Sequence, residues 1–95
     1  MSDTSAQVNF AAAASLRKWP SARGQKQTEP KYPSPYTILE STLGECLREL
    51  MLKPPTQRHL YEIHTSPQEP MIGKVILEEQ AVELARLRSF LEALG

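Results

Sequence analysis

The sequence predicts an α+β fold, in which a helix, an antiparallel hairpin and a second helix form a small α-β-β-α body behind a flexible N-terminal tail. Three observations carry that reading. Residues 42–52 and 77–94 repeat apolar side chains at the three- and four-residue spacing of amphipathic helices. Between them, apolar and polar residues alternate as in a half-buried strand. The first 35 residues combine small and polar side chains with prolines at 20, 30, 33 and 35.

The tail comes first. Little in "SARGQKQTEPKYPSP", Ser21 to Pro35, can be buried, and such a segment does not offset its ordering entropy. A boundary at residue 35 also divides the charge. Residues 1–35 hold five Lys or Arg against two acids, and residues 36–95 hold six against nine, so a formal net charge of zero hides a basic tail and an acidic body.

Within the tail, the Ala-rich stretch predicts a nascent helix over residues 4–19, capped by Asp3 or Thr4 and stopped by Pro20. Val8, Ala12, Leu16 and Trp19 then fall near one stripe. A helix of about 15 residues is marginal alone in water, so a partner is expected to complete it. Val8, Leu16 and Trp19 become the anchors of a helix-in-groove contact, with Arg17 and Lys18 steering toward an acidic surface. Two alternatives stand beside this one: Trp19 folds back over the body as a lid, or it stays exposed.

The body opens with "ESTLGECLRELML". Thr42 and Glu45 have capping-box spacing, and Leu43, Cys46, Leu47, Leu50 and Met51 form one apolar face of a helix that Pro54 and Pro55 end. Gly44, in the first turn, allows another backbone to approach closely. Glu49 and Lys53 form an i, i+4 pair. Two strands follow, about Arg58 to Thr65 and Met71 to Leu77, joined by the loop Ser66 to Pro70; so short a connection favours an antiparallel hairpin. The last helix carries Leu77, Ala81, Leu84, Leu87, Leu91 and Leu94 on one side, with Glu78 and Glu79 at the positive end of its dipole.

A body of about 60 residues has a thin core. That favours a homodimer, with Leu84, Leu87, Leu91 and Leu94 as its seam or the hairpin edge as a point of sheet continuation. The competing arrangement is a monomer with the tail packed across it.

Chemistry is sparse. Cys46 lies on an apolar helix face, where cysteine acts as a small hydrophobe. His59 and His64 are five apart in the first strand, on opposite faces, which disfavours joint metal binding. Glu78, Glu79 and Glu83 are ordinary first-turn acids, and the glycines at 24, 44, 73 and 95 are too isolated to cradle a phosphate. No metal or cofactor signature is present.

The balanced charge argues against a nucleic-acid binder. No apolar run approaches the roughly 20 residues that cross a bilayer, and the four alanines at 11–14 are too short for a signal-peptide core. A cytoplasmic location is the expectation. These features together predict a small non-enzymatic protein-binding or regulatory protein. The alternatives are a nucleic-acid-associated regulator using the basic tail or hairpin, and a small enzyme using Cys46 or a histidine.

Overall fold

A computed structural model describes residues 8–22, 25–26, 35–68 and 71–94. The fold is α+β. Its elements are β1 (Ala13–Lys18), β2 (Ser21–Ala22), β3 (Gln25–Lys26), β4 (Tyr36–Thr42), α1 (Leu43–Leu52), a 3-10 helix (Pro55–Leu60), β5 (Tyr61–Thr65), β6 (Val75–Ile76) and α2 (Glu78–Leu94). Four strands form one antiparallel sheet in the order β4-β1-β5-β6, and β2 and β3 pair as a separate small ribbon.

The expected helix–hairpin–helix core is present, but the sheet is twice as wide as the hairpin alone. The added strands are β4 and, at the centre, β1. Residues 13–18 are therefore strand where the Ala-rich sequence predicts a nascent helix, and the boundary at residue 35 does not separate a tail from a body. Residues 1–7, 23–24 and 27–34, which include the capping Asp3 and Thr4, lie outside the described part, as does the terminal Gly95.

Period-two alternation explains why tertiary context overrides helix propensity here. Ala14, Leu16 and Lys18 point to one face of the sheet, and Ala13, Ser15 and Arg17 to the other. Leu16 stands opposite Leu39 on one side and Ile63 on the other. It is fully buried among Ile63, Ile76, Leu43, Leu47 and Leu50. Removing a leucine side chain from water contributes about 1.5–3 kcal/mol, more than the few tenths that separate helix from strand preference at most positions. A bulge interrupts the β1–β4 ladder, because Leu16 pairs with Leu39 but Arg17 with Thr37, leaving Ile38 as the extra residue.

The N-terminal segment also completes α1. Thr42 caps the helix as its spacing predicts, its hydroxyl accepting from Glu45 N at 3.2 Å. Two further first-turn amides find carbonyls before β1: Leu43 N donates to Ala12 O and Gly44 N to Phe10 O, each at 2.8 Å. A Cβ on residue 44 would sit 3.3 Å from Phe10 O and 2.8 Å from Arg88 Nε, so the close approach expected at Gly44 is real on two sides. The Glu49–Lys53 pair forms at 3.9 Å.

Two boundaries differ from expectation. The first hairpin strand starts at Tyr61, because Pro55–Leu60 wind into a 3-10 helix that takes Arg58 and His59 out of the sheet. Arg58 Nη2 there donates to Met51 O at 3.0 Å, serving a carbonyl at the end of α1. The second strand shrinks to Val75–Ile76. Its connection to β5 narrows at a Gln68–Ile72 bridge; Glu69 and Pro70 are outside the described residues.

Along α2 the buried positions are Ala81, Leu84 and Ala85, while Leu77 and Leu94 are exposed. The four residues expected as a dimer seam differ in exposure. Leu84 belongs to the chain's own core, Leu87 and Leu91 are half-buried, and Leu94 is open to solvent.

Candidate functional site

The helices cover one face of the sheet, and the opposite face carries the polar chemistry. Alternation on β5 sends Tyr61 and Ile63 to the core and Glu62 and His64 outward. In register with them on β1 stand Arg17, opposite Glu62, and Ser15, opposite His64. Glu40 of β4 lies across from Ser15.

Glu62 is the centre of this face. It is buried, with a side chain only 9% exposed, although it lies away from the hydrophobic core. Both carboxylate oxygens are engaged: Trp19 Nε1 donates to Oε1 at 2.6 Å, and His64 Nε2 donates to Oε2. A buried carboxylate is tolerated when its lone pairs are met by donors. The consequence is that Trp19 and His64 are held in place by one anion. Trp19 is also fixed through its backbone, N donating to Leu60 O at 2.8 Å.

Beside this network runs a shallow open cavity of about 720 Å³, lined by Ala13, Ser15, Arg17, Glu40, His64 and Lys74, among others. Its floor is the small side chains of β1. Arg17 Nε donates to Ser15 Oγ at 3.1 Å, which orients the guanidinium along the strand.

The partner-binding residues expected from the sequence divide under this geometry. Leu16 has no exposed surface, so it cannot anchor a partner in the folded chain. Val8 is half-buried against the core. The Lys18 ammonium sits 6.0 Å from the Tyr61 ring centroid, at the end of the sheet. Trp19 is tied to Glu62, which is nearer to the lid alternative than to a free anchor. Only Arg17 opens onto the cavity. The sequence reading missed Ser15, Glu40 and Glu62, and weighed Lys74 only as a cation beside Arg58. Of these, Glu62 carried a signal, being an acid flanked by Tyr61 and Ile63 at the centre of an alternating strand.

His64 is on an interior strand, not at the sheet edge, and His59 is exposed on the 3-10 helix. No group of three or more potential metal ligands occurs among the described residues. Arg58 and Lys74 lie at opposite ends of β5, Arg58 before Tyr61 and Lys74 where its carbonyl accepts from Thr65 N. No described helix is long and apolar enough to cross a membrane.

Cys46 is fully buried, and burial pushes its thiol up to about 11, against an ordinary 9.0. The thiol form is therefore favoured in the folded chain and the thiolate in the unfolded one. Between pH 9 and 11 the unfolded state binds fewer protons, so stability falls as pH rises through that window. Thermal midpoints compared at about pH 8 and about pH 10 should drop more steeply for the native chain than for Cys46→Ala. Equal slopes would show that the thiol is not desolvated.

Compared with known protein families, characterised proteins and solved structures, the chain matches none.

Proposed function

We propose that this chain is a small non-enzymatic protein-binding module whose partner seats on the helix-free face of the sheet. The observation that supports this reading is the buried Glu62. Its desolvation is offset by ordering Trp19 and His64 beside an open cavity, away from the core that holds the fold together. Polar groups held rigidly on an exposed sheet face are suited to recognition, because little side-chain entropy remains to be lost on binding. Burial of Cys46 supports the non-enzymatic reading, because a nucleophilic thiol is usually exposed in an electropositive setting.

Peptide display against the folded chain, followed by amide NMR with the selected peptides, tests the reading. Shifts are expected at residues 13–17, Glu40, His64 and Lys74. Shifts gathered on α1 and α2, or a selection that yields no binder, would refute it.

A further inference from the structure

Resting on that reading, we infer that the partner presents an extended acidic segment whose carboxylate is received by Arg17. Ion pairs among the described residues are Glu45–Arg48, Glu49–Lys53 and Arg88–Glu92, and Glu62 is hydrogen-bonded to His64. Neither Arg17 nor Lys74 has a carboxylate within ion-pair distance among those residues. Glu62 is the nearest acid to Arg17 in register, yet its oxygens are engaged by Trp19 and His64. Arg17 is half-buried and oriented through Nε by Ser15, and among the described residues no acceptor meets its terminal nitrogens. A guanidinium fixed in this way matches the two oxygens of a carboxylate.

The cavity defines how a segment would lie. Ala13 and Ser15 of β1 line it together with Arg17 and Lys74. Arg17 is level with Glu62, and Lys74 is joined to Thr65, three positions further along β5. At about 3.3 Å per residue the two cations are about 10 Å apart along the strand. Lys74 also lies two strand spacings across from Arg17, which adds about 10 Å sideways, so the two positions are about 14 Å apart and acidic residues about four apart in an extended chain span them. Glu40, on the β4 side of Ser15, opposes a carboxylate there and favours placement of the acids toward β5.

The signs of these charges make the test specific. The full chain, ¹⁵N-labelled, is titrated with capped hexaglutamate, capped hexalysine and inorganic phosphate. Hexaglutamate is expected to shift the amides of Ser15, Arg17, His64 and Lys74, with affinity that falls as salt rises. Arg17→Gln should weaken it about tenfold, the scale of one lost charge-assisted hydrogen bond, and Glu40→Gln should tighten it. Lys74→Gln, at an exposed position, should weaken it also and keeps the test decisive if Arg17→Gln does not fold.

Hexaglutamate that leaves these amides unmoved, or binds Arg17→Gln and Lys74→Gln as it binds the native chain, overturns the inference. So does hexalysine that shifts the same amides as strongly, since the face would then not select for negative charge. Phosphate that reproduces the shifts at equal concentration overturns it too, because the site would take a free oxyanion. Display-selected peptides that gather on this face without acidic residues would refute the acidic segment and leave the binding face standing. Peptides that avoid the face would refute both.

Discussion

Leu16→Ala is expected to destabilise the chain by about 2–5 kcal/mol, the range for a leucine removed from a close-packed core. Leu16 is fully buried on the central strand, between Leu39 and Ile63 and under α1. The cavity left behind has strands on both sides and cannot close by shifting an edge. Against a total of roughly 5–15 kcal/mol for a folded domain, that loss leaves a large unfolded population on mild heating. Urea denaturation followed by circular dichroism measures it. An unchanged midpoint would place residue 16 outside the core and return the N-terminal segment to the status of a tail.

Glu62→Ala is expected to cost about 1–3 kcal/mol, because it removes the acceptor that Trp19 Nε1 and His64 Nε2 share. Two effects compete. Removing a buried charge recovers its desolvation cost, and that gain dominates where the charge is poorly paired. Here both oxygens are engaged, so the loss of the donors' partner should exceed the gain. Trp19 is the chain's single tryptophan, and its fluorescence therefore reports this site alone. Emission should shift in Glu62→Ala and be partly restored in Glu62→Gln, which keeps one carbonyl oxygen. A variant as stable as the native chain with unchanged emission would show that the network orders nothing.

The sequence disclosed those elements whose stability is local. Thr42 caps α1, Pro54 and Pro55 lie beyond its end, and α2 follows its own leucine spacing. β1 was hidden because its neighbours in space are distant in the chain. Four alanines and a leucine satisfy a helical pattern as well as a strand pattern, and the choice is made by Leu39 and Ile63. β4 was more legible than it looked: Tyr36, Thr37, Ile38 and Thr42 are aromatic or β-branched, the composition of a strand. The candidate site was least visible of all. It is assembled from single residues of β1, β4 and β5 and from Lys74 before β6, none distinctive within its own segment, and only strand pairing places Ser15 beside His64 and Arg17 beside Glu62.

The middle position of β1 also bears on how the protein comes into being. During synthesis this strand is made before either of the strands it will lie between, since β4 and then β5 follow it along the chain. Sheet formation must therefore wait for the chain to return twice, and the final ladder joins residues near one end to residues well past the middle. Such non-local pairing is slow to nucleate. Until β5 has emerged, Leu16 and the apolar face of α1 stay exposed to other nascent chains, which makes the interval before closure the stage most open to aggregation.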